Sequence, residues 1–106
     1  MRHAIFVAVV LSTLSLIPLS PARADAIDGT WCKQSQTMQI DGPAIVTPGG
    51  HSIQGEYNRH AFRYVVPAGE PAAGQRVDMI LMDEYEVQVK VGGTEPVVWK
   101  RCAPTS

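Results

Sequence analysis

The chain of 106 residues contains little leucine, cysteine or histidine, and only 18% of its residues are charged. Four of its five leucines lie before residue 24, so the remainder has one leucine beside nine valines and five isoleucines. β-Branched residues favour strands, and no helical period follows residue 24. The scarcity of leucine after that point therefore favours an all-β fold.

Long apolar runs are absent except at the start of the chain. Residues 1–24 begin with a cationic segment, continue with an apolar stretch and end with Ala22-Arg23-Ala24. This order predicts a secretory signal peptide, cleaved after Ala24 or two residues later. A membrane-spanning helix is the alternative, although the apolar stretch is shorter than the roughly 20 residues that cross a bilayer. We expect a periplasmic or secreted protein with a single domain at 25–106 and no membrane span in the mature chain.

Positive charge is scarce once the predicted signal peptide is removed. Arg2 and Arg23 leave with it, so seven Lys and Arg face ten Asp and Glu and the net charge is −3. Proteins that bind nucleic acid need a basic surface to contact the phosphates. We therefore expect no nucleic-acid partner, and a small monomer.

The two cysteines, Cys32 and Cys102, lie near the two ends of the predicted mature chain. An even number of cysteines in a small secreted domain favours a disulfide, with two free thiols as the alternative. A bridge between them would close about 70 residues and bring the first and last strands together.

Short runs of alternating polar and apolar residues recur along the chain, with turn residues between them. They predict about eight strands, at residues 27–32, 37–40, 44–47, 52–57, 61–66, 77–82, 85–91 and 97–102. With the ends joined by a disulfide, these strands predict a small antiparallel up-and-down barrel, and a two-sheet sandwich is the competing fold. The longest irregular segment, residues 67–75, is predicted to be a mobile loop.

Two short motifs carry a family resemblance. The Gly29-Thr30-Trp31 segment and the Trp99-Lys100-Arg101-Cys102 segment resemble the first and last strands of lipocalin-like (calycin) barrels. The resemblance implies that Trp31 closes one end of the barrel beneath Arg101 or Lys100, in a cation-π arrangement. At the scale of the whole mature chain, residues 27–32, 40–50 and 99–102 also resemble small uncharacterised secreted proteins of alphaproteobacteria, which implies a periplasmic location.

Groups that could perform catalysis are scarce. The cysteines are committed to the predicted disulfide, and the serines stand in no nucleophile motif. His51 and His60 fall at opposite ends of one predicted strand, roughly 20 Å apart, so they cannot share a metal ion. We therefore expect no enzyme activity, no metal and no cofactor.

Two functional hypotheses remain. If the strands alternate in direction, the turns at one end bring together the polar residues that we nominate for binding: Asp41, Tyr57, Arg59, His60, Asp83 and Glu84. The chain would then be a non-enzymatic binding module for an unknown protein or small ligand, although solvated turn residues are the simpler interpretation. The alternative is a lipocalin-like carrier of an apolar ligand, with a cavity lined by Phe62, Tyr64, Met79, Leu81, Val87 and Val89.

Overall fold

The strands of this protein form one meandering sheet. A computed structural model describes residues 26–103, so the predicted signal peptide lies outside the described residues. Within that range the elements are β1 (Gly29–Lys33), β2 (Gln36–Asp41), β3 (Ala44–Val46), β4 (Ser52–Gln54), β5 (Glu56–Asn58), β6 (Ala61–Val65), β7 (Arg76–Asp83), β8 (Glu86–Val91) and β9 (Val97–Arg101). Across these same residues, no helix is both long enough and apolar enough to cross a membrane.

The order of strands in the sheet is β4-β3-β2-β1-β9-β8-β7-β6-β5, and the pairs are antiparallel. Nearly every strand pairs with its neighbour in sequence, and β1 also pairs with β9. The first and last strands therefore meet in the middle of the sheet, while β4 and β5 form its two margins. Because β4 and β5 follow one another directly in sequence, the sheet curls into a nearly closed barrel. The predicted barrel is confirmed, and the fold is not the two-sheet sandwich.

Gly55 is the point at which the barrel nearly closes. The strand predicted at 52–57 is two segments: β4 pairs with β3, and β5 pairs with β6. A Cβ at Gly55 would lie 2.5 Å from a ring carbon of Phe62 and 2.6 Å from the carbonyl oxygen of Arg63. Only glycine allows such close backbone approach, so the chain can change pairing partner here. The nine segments occupy the eight strand positions expected from the sequence.

The interior of the barrel is filled by the side chains that alternate inward along each strand. Burial follows a period of two, as in β2, where Met38 and Ile40 are buried and their neighbours are exposed. The buried apolar cluster consists of Ile27, Trp31, Met38, Ile40, Ile45, Phe62, Tyr64, Val66, Val77, Met79, Val87, Val89 and Trp99.

A disulfide joins Cys32 to Cys102 across the β1–β9 pair, with 5.0 Å between the Cα atoms. Cys32 follows the inward-facing Trp31 in β1, so the bond lies on the outer side of the wall. The predicted pairing is confirmed. By the loop-entropy model, closing the 70 residues between the two cysteines stabilises the fold by about 4 kcal/mol.

Candidate functional site

The two ends of the barrel are built differently. One end, which we call the closed end, contains residues 26–28 and the turns at 42–43, 59–60 and 84–85. Its segments are joined by hydrogen bonds: the Ile27 N–H donates to the Arg59 carbonyl at 2.8 Å, and the Gly42 N–H donates to Asp28 Oδ2 at 2.8 Å. The closed end therefore gathers the turns that the sequence placed together.

Trp31 and Arg101 fill the centre of the closed end. The Trp31 side chain is fully buried, and its indole N–H donates to the Ile27 carbonyl at 2.9 Å. The guanidinium carbon of Arg101 lies 4.2 Å from the centre of the Trp31 ring, within the range of a cation-π contact. The contact that the Gly-x-Trp resemblance implied is confirmed for Arg101.

The guanidinium of Arg101 also ties together backbone from two parts of the chain. Nη1 donates to the Asp28 carbonyl at 2.7 Å, Nη2 to the Ala26 carbonyl at 3.0 Å, and Nε to the Glu84 carbonyl at 2.6 Å. Burial lowers the pKa of Arg101, and the carboxylates of Glu84 and Asp28 oppose that change. Because the ordinary arginine pKa is so high, the group remains charged and acts as a permanent clamp.

Gly29 makes room for this clamp. Its φ of +128° is a conformation that side-chain-bearing residues rarely adopt, and a Cβ there would lie 2.5 Å from Nη1 of Arg101. The glycine of the Gly-x-Trp motif is therefore required by the approach of Arg101 to the backbone.

Tyr57 and Asp83, which are among the nominated residues, use their side chains to bind other parts of the closed end. The Tyr57 hydroxyl donates to the Asp28 carboxylate, which also accepts the Gly42 N–H. One Asp83 oxygen accepts the backbone N–H groups of Tyr85 and Glu86 at 2.8 and 2.9 Å, so this carboxylate caps its own turn. These contacts hold the turns in place.

The other nominated residues lie on the surface of the same end. Asp41 is exposed at the end of β2. The His60 side chain is also exposed, and the backbone N–H of His60 donates to Asn58 Oδ1 at 3.0 Å. The backbone carbonyl of Arg59 accepts a hydrogen bond from the Ile27 N–H. The backbone carbonyl of Glu84 accepts one from Nε of Arg101. The structure thus places these residues at one end, and their role in binding stays a prediction.

The opposite end, which we call the open end, contains a cavity of about 290 Å³. It lies among residues 33–36, 48–51, 67–75 and 92–97 and extends into the barrel. Its apolar lining consists of Met38, Tyr64, Val66, Val77, Val89, Val91, Val97 and Trp99, and its polar rim includes Lys33, Gln36 and Glu70.

This lining differs from the one that the sequence suggested. Tyr64 and Val89 line the cavity as predicted. Phe62, Met79 and Val87 are instead buried in the packed cluster that includes Trp31, and Leu81 packs against its side. The prediction was wrong for these four because the inward face of a strand is not uniform along its length. Side chains nearer the closed end fill the interior, and those nearer the open end border the void.

A cluster of four residues, Thr47, Gly49, His51 and Glu70, fastens the 67–75 loop to the segment after β3. The Glu70 side chain is only 6% exposed. Its Oε2 accepts the Thr47 hydroxyl at 2.5 Å and lies 2.5 Å from His51 Nδ1, and its Oε1 accepts the Gly49 N–H at 3.3 Å. We call this group the Glu70 cluster.

The charge on Glu70 is maintained by these donors. Burial raises the pKa of Glu70, but the hydrogen bonds from Thr47, His51 and Gly49 outweigh burial and leave that pKa below its ordinary value. An ionised carboxylate only accepts hydrogen bonds, so His51 Nδ1 carries the hydrogen in this pair.

Burial, together with the nearby charge of Glu70, raises the pKa of Tyr64 to about 12, so its phenol stays neutral.

The 67–75 loop is also bonded at its base. The Val66 N–H donates to the Gln75 carbonyl at 2.9 Å, and the Gly74 N–H donates to the Val66 carbonyl at 2.8 Å. A loop that the sequence predicted to be mobile therefore has defined attachments. Glu70 was the feature of the sequence that could have predicted the attachment of this loop, because it is the only charged residue among residues 67–75.

His51 and His60, the histidines within residues 26–103, lie at opposite ends of the barrel, as expected: His51 is in the Glu70 cluster and His60 is in the turn after β5. Among residues 26–103, no group of three or more histidine, cysteine, aspartate or glutamate side chains is arranged to hold a metal ion.

Comparisons with protein-family models, with curated proteins and with solved structures find no significant match to this chain. The functional argument therefore rests on the geometry of the two ends. At the closed end, Asp28, Tyr57, Asp83 and Arg101 bind other parts of the protein. At the open end, inward-facing apolar side chains border an accessible cavity.

Proposed function

We propose that this protein is a non-enzymatic, extracytoplasmic binding protein that holds a small apolar ligand in the cavity at the open end. The observation that carries the proposal is the cavity of about 290 Å³, which enters the barrel interior and is walled mainly by valines, Tyr64 and Trp99. Sites for small molecules are concave and mostly apolar, with a few polar groups at defined positions.

The volume of the cavity favours a ligand-binding site over a packing defect as the explanation for the unfilled space. Protein interiors contain few voids larger than a water molecule, because every void loses dispersion contacts. The 290 Å³ space opens to solvent at its rim, and its volume is about twice that of an engineered apolar cavity that takes up benzene. An apolar ligand would regain contacts with Trp99 and the valines at little desolvation cost.

The closed end supports the same proposal. Trp31 and Arg101 close one end of the barrel, so the interior opens at the other end. This arrangement supports the relation to lipocalin-like barrels that the Gly-x-Trp motif suggested. We extend the proposal to a monomer without a nucleic-acid partner, in keeping with the net charge of −3 after residue 24.

The contacts within the Glu70 cluster favour binding over catalysis. A histidine paired with a carboxylate is a common part of hydrolytic sites, where the other ring nitrogen activates a hydroxyl or thiol. Here the Thr47 hydroxyl donates to Glu70 and not to His51, and Thr47 is 1% exposed. Cys32 and Cys102 are joined in the disulfide. The cluster therefore serves as an attachment point for the loop.

Two adjacent valines allow a sharp test. Val97 lines the cavity and is 41% exposed, whereas Val98 points to the outer wall and is 43% exposed. We expect the protein exported from the full chain to bind the neutral fluorescent probe N-phenyl-1-naphthylamine saturably. Val97→Trp should weaken binding at least tenfold because the indole occupies the cavity, and Val98→Trp should leave it unchanged. Absence of saturable binding by the wild type, or equal losses in both variants, would overturn the proposal.

A further inference from the structure

We infer that the ligand of this cavity is an anionic amphiphile, with a carboxylate head group bound by Lys33 and a short apolar tail inside the barrel. The inference rests on the proposed function. Lys33 is the last residue of β1 and lies two residues after Trp31, so it faces inward by alternation. It is half-buried and forms part of the cavity rim.

Lys33 lacks a protein partner within residues 26–103: it makes no ion pair and no side-chain hydrogen bond there. Most of the other basic groups are engaged. Arg63 and Arg76 bind Asp78, Lys100 lies 3.8 Å from Glu86, and Arg101 binds backbone carbonyls. Because Lys33 has no ion-pair partner among these residues, an incoming anion can bind it without displacing a protein carboxylate.

The carboxylate on the same rim does not neutralise Lys33. Glu70 already accepts hydrogen bonds from the Thr47 hydroxyl and the Gly49 N–H. His51 Nδ1 contacts the same carboxylate oxygen as the Thr47 hydroxyl. Gln36 stands opposite Lys33 in the β1–β2 register and also borders the cavity, so its amide N–H can donate to the same anion. The rim therefore offers one charged donor, Lys33, and one neutral donor, Gln36, beside an apolar interior. The ionised carboxylate of Glu70 lies on the same rim, where its own donors already bind it.

The cavity volume limits the tail. A space of about 290 Å³ accommodates roughly twice what a benzene-sized cavity holds, which suits a medium-length acyl chain or a fused pair of rings. Specificity would then divide between the two parts of the ligand. The tail supplies affinity through apolar burial, and Lys33 selects the head group.

Three probes with unbranched tails of similar length test the assignment, because decanoate, decanol and decyltrimethylammonium differ mainly in the charge of the head group. In displacement of the naphthylamine probe, we expect decanoate to bind at least tenfold more tightly than decanol, and decyltrimethylammonium to bind most weakly. Lys33→Met should reduce decanoate to the affinity of decanol and leave decanol unchanged. Lys33→Arg should keep the preference, because it keeps the charge.

Lys90→Met is the matched control, since Lys90 lies on the outer wall and is exposed. It should leave all three affinities unchanged. Equal binding of decanoate and decanol by the wild type, or a decanoate preference that survives in Lys33→Met, overturns the assignment of the head group while the cavity function stands. Failure of the naphthylamine probe and of all three amphiphiles to bind overturns the cavity function itself.

Discussion

The closed and open ends of this barrel use polar groups in opposite ways. At the closed end, Arg101 and Asp28 satisfy backbone groups around a buried tryptophan, and the interior is packed. At the open end, the Glu70 cluster holds one loop at the side of a cavity whose walls are apolar. The packed part and the unfilled part of the interior are therefore separated along the barrel axis. One end can be left unfilled because the other end, together with the disulfide, holds the strands together.

The largest expected change in the free energy of unfolding comes from replacing one of the two tryptophans, one at each end of the barrel. Trp31→Ala should lower the free energy of unfolding by about 3 to 5 kcal/mol, because it empties a packed site and removes the cation-π partner of Arg101. Trp99→Ala should cost less, since Trp99 already borders the cavity. Urea unfolding followed by far-ultraviolet circular dichroism measures both. Equal losses would mean that the two ends are packed alike.

An intermediate effect is expected at the Arg101 clamp. Arg101→Met should lower the free energy of unfolding by about 2 to 3 kcal/mol, because the Ala26, Asp28 and Glu84 carbonyls lose a charged donor. Lys100→Met is the control: Lys100 is exposed and lies 3.8 Å from Glu86, so we expect a change of about 0.5 kcal/mol or less. If both variants unfold at the same urea concentration, Arg101 does not clamp the closed end.

The smallest effect on global stability is expected at the open end, from Glu70. Its pKa is lower in the folded protein than the ordinary value of 4.5, so its contribution is present above that value. The contribution is lost as the pH falls through the lowered pKa. Hydrogen exchange, corrected for intrinsic rates, should therefore accelerate in residues 67–75 as the pH falls below 4.5.

Glu70→Gln should produce the same acceleration at neutral pH, because the amide is a weaker acceptor than the carboxylate. Asp78→Asn is the matched control. The Asp78 carboxylate also has a lowered pKa, but it binds Arg63 and Arg76 on the outer wall. Acceleration at 67–75 in the Asp78 variant, or none in the Glu70 variant, would show that the cluster does not hold the loop.

Much of the barrel could be predicted because strand alternation is a local property. Val87 and Val89 alternate with polar residues in β8, and their burial follows directly from that pattern. Cys32 and Cys102 indicated closure because they are the only two cysteines. The break at Gly55 could not be predicted, since it depends on Phe62 and Arg63 approaching from the next strand.

Only part of each end could be predicted in the same way. The alternation of strand direction placed Tyr57 and Asp83 at one end of the barrel, but their partners come from distant positions. Asp28, which binds Tyr57, lies 29 residues away in sequence. Glu70 binds Thr47 across 23 residues, and neither spacing leaves a periodic signal.

The resemblance to lipocalin-like barrels left Arg101 or Lys100 as the partner of Trp31, and the structure selected Arg101. The sequence by itself determined the all-β class, the inward and outward faces of the strands and the disulfide. These follow from residue type and from a period of two, which act along a single strand or through a known motif. The tertiary structure alone decided where the interior is full and where it is empty, and left Lys33 at the rim without a partner among residues 26–103. Packing is set by side chains from many strands at once, so a void and the charges around it arise only when the barrel closes.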